Sequence, residues 1–374
     1  MRAPILMATA AALALTLTAS AASAEDIQIA VAAPMTGPSA AIGDQFKRGA
    51  EKAVADINAR GGLLGKKLVL HIGDDACDPK QAVAVANQLA SEHVVFVAGH
   101  YCSGSSIPAS AVYNETGILQ ITPGSTNPKL TDDAAAKGWT NVYRVCGRDD
   151  AQGLVAGNFL AKAYKGKAVA IIDDKSAYGK GIADETRKAM NAAGLKEVIN
   201  EEITAGDKDF SALISKLKQA HVDAIYFGGY EVEGGLIVRQ AREQNLQATL
   251  IGGDALMTKQ FYDVSGPAGD GSLMTFSPDP RQVPAAKAVV DSFKADGYDP
   301  EGYTLYTYAA VQVFAIAAEK AKSTQLDDLT KVLQSGMAFQ TVIGSLKFDK
   351  KGDIVNPEFV FYVWKDGQYT QIKS

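Results

Sequence analysis

Short apolar segments alternate with amphipathic segments along most of this chain, and this alternation restricts the fold more than any other feature. One series runs from Asp26 to Ile121, and a second of similar build runs from Ala151 to Gly252. Repeated strand-helix-strand units favour parallel strands with helices on both faces, because each crossover returns the chain to the same edge of the sheet. The sequence therefore predicts two α/β lobes with a cleft between them.

Local signals locate several element ends. Gly61-Gly62 ends the first helix, and Asp78 followed by Pro79 begins the second as N-cap and first helical residue. The Asp366-Gly367 pair predicts the turn of a C-terminal hairpin between residues 359 and 372. Residues 124–138 are predicted to form a loop, and periodicity does not show which lobe the helices at 284–322 join.

The first 24 residues indicate a secretory signal peptide. Arg2 precedes an Ala/Leu-rich apolar core that ends in Ala22-Ser23-Ala24, so cleavage is expected after Ala24. No cysteine lies at the cleavage point, so a lipid anchor is not indicated, and the expected compartment in a bacterium with two membranes is the periplasm. The remaining 350 residues (374 minus 24) exceed one ordinary domain.

Charge argues against a nucleic-acid partner. Without Arg2, 36 basic residues face 42 acidic residues, which gives a net charge of −6 with histidine neutral. No basic stripe interrupts this excess of acid. A negatively charged chain without such a stripe lacks the electrostatic footprint of a nucleic-acid-binding protein.

The segment from Gly99 to Thr126 is the strongest candidate for a binding site. An apolar strand, Val94 to Ala98, ends there in glycine and small hydroxyl residues, and a second strand, Ile118 to Ile121, ends in Thr122-Pro123-Gly124. Backbone N–H groups at a helix N-terminus favour a carboxylate or phosphate, and adjacent strand ends form ligand crevices in open α/β sheets. An ordinary strand-to-helix connection with capping serines is the alternative interpretation.

The three cysteines separate into a pair and a single thiol. Cys77 and Cys102 each follow a polar loop segment, so we predict that they pair in an oxidising compartment. Such a disulfide would anchor the loop that carries Ser103. Cys146, in Tyr-Arg-Val-Cys, is predicted to be a buried strand thiol. Three free, packed thiols are the alternative.

Motifs of an enzyme or a metal protein were not found in the sequence. The histidines at 71, 93, 100 and 221 lack metal-ligand spacing, and no Gly-x-Ser-x-Gly segment is present. The Asp74-Asp75-Asp78 group lacks the glycine and terminal glutamate of an EF-hand and is interpreted as capping and loop structure. We therefore predict no enzyme activity, no metal and no cofactor.

Five blocks of consecutive residues carry a resemblance to a known family: Glu25 to Ile27, Ala55 to Gly62, Asp74 to Ala82, Gly99 to Ser103 and Lys208 to Ser211. These blocks resemble the periplasmic leucine/isoleucine/valine-binding proteins over essentially the whole mature chain. The resemblance implies two Rossmann-like lobes, joined by three hinge strands, that close on an amino acid. It also implies a monomer that delivers this ligand to an inner-membrane permease of the ABC type.

The resemblance implies domain boundaries as well. It places the crossings near residues 148, 276 and 356. The first lobe is then 25–148 plus 277–356, and the second is 149–276 plus 357–374. A sensor that presents its closed form to a receptor remains a second interpretation of the same architecture.

Carried over residue by residue, the resemblance implies a ligand set. The ligand carboxylate is expected at Ser103, Thr126 and Tyr230, and the ammonium at Gly124, Thr126 and Asp254. The family commonly has glutamate at the last position, so this chain is one methylene shorter there. The side-chain pocket is expected to contain Ile42, Tyr101, Cys102, Tyr178 and Tyr303.

Two pocket positions depart from the family pattern. Tyr101 stands where the relatives have leucine, and Ile42 stands where they have tyrosine; Tyr303 falls at a pocket phenylalanine. A bulky ring beside the disulfide shortens the pocket, so valine or a smaller amino acid is expected to bind better than leucine. The alternative is that the tyrosines swing aside and branched-chain selectivity survives.

Overall fold

The structure, a computed structural model, describes residues 25–372, so the predicted signal peptide and its cleavage site lie outside the described residues. The first lobe is built on five parallel strands in the order β2-β1-β3-β4-β5. In chain order up to residue 144, its elements are β1 (Ile27–Ala33), α1 (Ala40–Ala59), β2 (Leu68–Asp74), α2 (Pro79–Ser91), β3 (Phe96–Gly99), α3 (Ser103–Thr116), β4 (Leu119–Thr122), α4 (Lys129–Ala136) and β5 (Val142–Arg144).

The second lobe repeats this build. Its elements are α5 (Asp149–Ala163), β6 (Val169–Asp173), α6 (Ala177–Ala192), β7 (Ile199–Glu202), α7 (Ser211–Gln219), β8 (Ala224–Gly228), α8 (Glu231–Glu243), β9 (Thr249–Gly252), α9 (Lys259–Ser265) and β10 (Leu273–Phe276). The strand order β10-β9-β8-β6-β7 is parallel throughout. The predicted α/β fold with two lobes is therefore confirmed.

After β10 the chain returns to the first lobe. This segment contains α10 (Lys287–Ala295), α11 (Thr304–Ala321), α12 (Leu326–Leu333), β11 (Phe339–Thr341) and β12 (Gly344–Leu346). Helix α11 packs on α1, and its Phe314 stacks on Phe96 of β3 with ring centroids 4.5 Å apart. Periodicity did not assign this helix to a lobe, because its buried residues extend around most of its circumference.

The chain ends in a hairpin on the second sheet. Strands β13 (Val360–Lys365) and β14 (Gln368–Gln371) are antiparallel and extend the order to β14-β13-β10. Asp366 and Gly367 both have positive φ, which is the geometry of the predicted two-residue turn. The second sheet is therefore mixed rather than purely parallel.

Two further expectations need correction. The segment 124–138 contains the short helix α4, whose Leu130 and Ala134 are buried against Val142. Cys146 is buried and free as predicted, but it lies two residues beyond β5 and not within a strand. Within residues 25–372, no helix combines the length and apolar character needed to cross a membrane.

Candidate ligand-binding site

Two neighbouring loops of the first lobe form one wall of the cleft. Because β3 and β4 are adjacent and parallel, residues 100–103 and 123–127 lie side by side at their carboxyl ends. We call these two loops the first-lobe rim. Ser103 begins α3 and is buried, and its Oγ accepts a hydrogen bond from the Asn127 N–H at 3.2 Å. The two strand ends therefore meet, as the sequence predicts.

Thr126 and Gly124 lie in the second of these loops. The buried Thr126 hydroxyl has no hydrogen-bond partner among the described residues. An unpartnered buried hydroxyl costs free energy unless a ligand or water supplies the partner. At Gly124 an added Cβ would lie 2.8 Å from Cδ2 of Tyr101, so only glycine lets the tyrosine ring pack against the loop.

A buried arginine supports this loop from below. The Arg144 guanidinium donates to the carbonyl oxygens of Ser125 at 2.7 Å and Asn127 at 3.1 Å, on either side of Thr126. It also forms an ion pair with Asp353 at 2.7 Å, and Arg148 reaches the same carboxylate at 2.8 Å. Arg144 is completely buried, so the conformation of the loop depends on this ion pair.

The first of the two loops is fixed by a disulfide and a buried histidine. Cys77 and Cys102 are bonded, which confirms the predicted pair. His100 is hydrogen-bonded to Asp75 at 2.5 Å and to the Tyr113 hydroxyl at 2.8 Å. Asp75 also accepts from the Cys77 N–H at 2.8 Å, so the disulfide and the histidine share one support.

Aromatic rings fill the middle of the cleft. The Tyr101 ring lies 5.8 Å from Phe46, 5.2 Å from Tyr303 and 5.9 Å from Tyr230, measured between centroids. Ile42 is buried one turn before Phe46 on α1. Phe46 is also buried on α1, but it is not among the pocket residues expected from the sequence.

The second lobe contributes four polar side chains to the facing wall, which we call the second-lobe rim: Tyr178, Tyr230, Glu231 and Asp254. They follow β6, β8 and β9 at the carboxyl ends of those strands. Tyr230 is the N-cap residue of α8, and its ring lies 5.2 Å from that of Tyr178. The structure thus brings the predicted residues Tyr101, Tyr178, Tyr230, Tyr303 and Asp254 together between the two lobes.

Asp254 is held by a tyrosine from each lobe. Its Oδ1 accepts from the Tyr178 hydroxyl at 2.8 Å, and its Oδ2 accepts from the Tyr303 hydroxyl at 2.5 Å. Burial raises the pKa of Asp254, and the two tyrosine hydroxyls oppose that shift. No salt bridge joins this carboxylate to a lysine or arginine within residues 25–372.

Sequence reasoning missed two buried carboxylates in the cleft, Asp149 and Glu231. Neither has a hydrogen-bond partner on either side-chain oxygen in the described chain, and both are fully buried. Burial, followed by the charge of Asp254, raises the pKa of Asp149 well above its usual range. Burial raises the pKa of Glu231 to about 7. Both residues begin helices, where acidic residues are common, so no local pattern distinguishes them from ordinary acidic residues.

The two walls contact each other directly. Besides the Tyr303–Asp254 hydrogen bond, the Asn127 side chain donates to the Ala177 carbonyl at 2.5 Å. The Gln260 side chain donates to the Pro38 carbonyl at the edge of the cleft. These contacts between lobes explain why the carboxylates in the cleft are shielded from solvent.

Comparison with known proteins assigns the family. A family model described as periplasmic binding protein matches residues 26–368. The chain belongs to the periplasmic binding protein family. A "Leu/Ile/Val-binding protein homolog 1" from Brucella suis is 46% identical over 93% of this chain and 94% of its own length. An "Amino acid binding protein" from Pseudomonas aeruginosa is 47% identical over 93% and 92%.

Solved structures of periplasmic binding proteins share the fold. The leucine binding protein LivK from Thermotoga maritima has a TM-score of 0.85 at 26% identity, covering 93% of this chain and 98% of its own. The branched-chain amino acid transporter substrate-binding protein LivJ from Streptococcus pneumoniae, in complex with isoleucine, has a TM-score of 0.84 at 27% identity, covering 94% and 100%. The family resemblance in the sequence is confirmed.

Proposed function

We propose that this protein captures a small aliphatic amino acid of the leucine/isoleucine/valine type in the cleft and delivers it to an inner-membrane ABC permease. The observation that carries the proposal is Asp254, a buried carboxylate in the cleft without a cationic partner among the described residues. A buried carboxylate is stabilised by a cation, and an amino-acid ammonium is one that fits between two lobes. The relatives named above as amino-acid-binding proteins support the same class.

The two charges of the ligand are assigned to opposite walls. Ser103, at the start of α3, and the N–H of Thr126, in the neighbouring loop, bind the ligand carboxylate. Tyr230 of the second lobe binds the same carboxylate from the opposite wall. The Gly124 carbonyl, the Thr126 hydroxyl and Asp254 take the ammonium. The unpartnered Thr126 hydroxyl supports this assignment, because a ligand there provides the missing partner.

Closure of the hinge follows from this division. A zwitterion that enters the cleft loses the solvation of both charges, so each charge has to meet protein partners. Neither lobe supplies all of them, so ligand binding favours the closed form. We place the lobe boundaries of this motion at residues 148, 276 and 356. The Arg144–Asp353–Arg148 ion pairs, which lie beside two of these positions, support the placement.

Ligand size is limited by the aromatic rings. Ile42, Tyr101, Cys102, Tyr178 and Tyr303 are all buried in or beside the cleft. Tyr101 cannot swing freely, because its ring contacts three other aromatic rings and its neighbour Cys102 is in the disulfide. We therefore propose that valine or a smaller amino acid binds better than leucine.

We further propose that the chain acts in the periplasm as a monomer, after cleavage of its signal peptide at Ala24. The family assignment supports an exported binding protein. A permease partner follows from the proposed transport role, and neither a metal nor another cofactor has a role in it.

Calorimetric titration of ligand-stripped protein with alanine, valine, isoleucine, leucine and proline tests the proposal. We expect at least one of these amino acids to bind, with valine or a smaller one tighter than leucine. Leucine tighter than valine by tenfold would end the small-pocket hypothesis. Small-angle scattering on the same samples tests closure, because the radius of gyration should decrease at saturating ligand.

A further inference from the structure

Glu231 is a buried carboxylate that the amino-acid site, as assigned above, does not use. It is the first residue of α8, directly after Tyr230, and it is completely buried. Neither of its carboxylate oxygens has a hydrogen-bond partner, and no salt bridge reaches it within the described part of the chain. Burying an ionised carboxylate without a partner is costly. Its presence in a ligand cleft therefore indicates a partner that comes with the ligand.

The surroundings of Glu231 place it at the end of the cleft where the ligand side chain is expected. Burial raises the pKa of Glu231, and the nearby Ser39 side chain of the first lobe partly lowers it. The Ser39 hydroxyl nevertheless forms no hydrogen bond with the Glu231 carboxylate. Ser39 precedes Ile42 by one helical turn, and Ile42 belongs to the expected side-chain pocket. Glu231 therefore lies at the boundary between the lobes, near the start of the helix that carries Ile42.

A second unpartnered polar group lies at the same end. The Tyr101 hydroxyl is buried without a hydrogen-bond partner among residues 25–372, and its ring lies 5.9 Å from that of Tyr230. After burial, the charge of Glu231 is the largest influence that raises the pKa of Tyr101, ahead of Asp254. Tyr101 and Glu231 thus lie on opposite walls of the cleft, with Tyr230 beside both, and no hydrogen bond joins them.

We propose that Glu231, together with the Tyr101 hydroxyl and Ser39, forms a subsite that binds a hydrogen-bond donor on the ligand side chain. The ligand class is then a small α-amino acid whose side chain carries a hydroxyl or an amino group. This inference rests on the proposed amino-acid site and specifies which side chain that site accepts. A ligand donor satisfies the carboxylate and leaves the aromatic rings to limit the size of the side chain.

Two pairs of ligands with equal shapes test the subsite by calorimetry. Threonine has a hydroxyl group where valine has a methyl group. In the second pair, 2,4-diaminobutyrate has an ammonium group where norvaline has a methyl group. In at least one pair, we expect the member with the donor to bind at least tenfold more tightly than the other member, because a site built for a donor rejects the analogue that lacks it. The pair with the larger ratio identifies the donor as hydroxyl or amino.

Matched variants assign the preference to Glu231. Glu231→Gln should reduce the ratio within that pair at least fivefold, and Glu231→Met should remove it. Glu233→Gln is the control, because Glu233 lies on the same helix and its carboxylate accepts from the Gly206 N–H at 2.7 Å. That control should keep the ratio of the parent protein.

Two results overturn the inference while leaving the amino-acid site intact. One is binding of both members of each pair within twofold by the parent protein. The other is a donor preference that Glu231→Gln and Glu231→Met leave unchanged. Absence of binding by every amino acid tested, including alanine, valine, isoleucine, leucine and proline, overturns the proposed function and this subsite with it.

Discussion

The two rims of the cleft differ in how their polar groups are satisfied. In the first-lobe rim, backbone carbonyls are held by Arg144, and the loop of Tyr101 and Cys102 is held by the disulfide and by His100. In the second-lobe rim, Glu231 has no partner within the described residues, and Asp254 depends on a tyrosine from the opposite lobe. The first rim is therefore built by its own lobe, whereas the second depends on closure and ligand.

This difference predicts an order of events in binding. A rim that is already formed can accept the ligand carboxylate without rearrangement, because its donors are preorganised. The second rim then closes on a ligand that is already bound. Mutations of the groups that support the first rim should affect folding stability, and mutations of the charged groups in the second rim should affect affinity.

The largest effect is expected from Asp353, which supports the first-lobe rim. Asp353→Asn leaves the buried Arg144 without its charged partner, so we expect a loss of about 3 to 5 kcal/mol in the free energy of unfolding. Urea denaturation measures it. The control is Asp132→Asn, a partly exposed partner of Arg148, which should cost less than about 1 kcal/mol. Equal losses for the two variants would contradict a special role of the buried pair.

Removal of the disulfide should have a similar but smaller effect. The bond closes a loop with a sequence separation of 25 residues. The chain-entropy model gives about 3.5 kcal/mol of stability for a loop of this size. Cys77→Ser/Cys102→Ser should lose this amount in urea denaturation. Reductant should destabilise the parent to the same level and leave the double variant unchanged; peptide mapping that finds a linkage to Cys146 would refute the pairing.

The second-lobe rim is tested by Asp254→Asn. The ligand ammonium loses its charged partner, so affinity should fall by about 2 to 5 kcal/mol, or 30-fold and more, while the protein stays folded. Calorimetry with the tightest amino acid gives the ratio. Asp263→Asn is the control, because Asp263 is exposed on α9 and pairs with Lys259. Affinity of Asp254→Asn within about twofold of the parent would refute the ammonium assignment.

The smallest effect concerns pH and Glu231. Burial raises its pKa from 4.5 to about 7, so the folded protein holds this proton over a range in which the unfolded chain has lost it. Stability from this group is full below pH 4.5 and is lost as the pH rises through 7. Relative to Glu231→Gln, the parent should lose about 2 kcal/mol between pH 5 and pH 8. Parallel pH profiles of the two proteins would show that Glu231 is not buried in the unliganded state.

Much of the fold was predictable from the sequence because the signals are local. The apolar face of α1, the Asp78 cap of α2 and the Asp366-Gly367 turn each depend on residues within one or two turns of chain. Helix α4 was missed, since a helix of eight residues contains too few positions for a clear period. The strand predicted around Cys146 overlaps β5, but β5 ends at Arg144. Consecutive identities then indicated the family, which the comparisons confirm.

The sequence by itself determined the two α/β units, the Cys77–Cys102 pair and the strand ends where a ligand is expected. Only the tertiary structure decided which charges are buried. Asp149 and Glu231 occupy ordinary acidic positions at helix starts, and nothing in their neighbours shows that the opposite lobe covers them. Their burial results from the approach of segments distant in the chain, such as Ser39 to Glu231. The physical reason is that the environment of a charge depends on everything that packs around it, whereas helix and strand patterns are set by near neighbours.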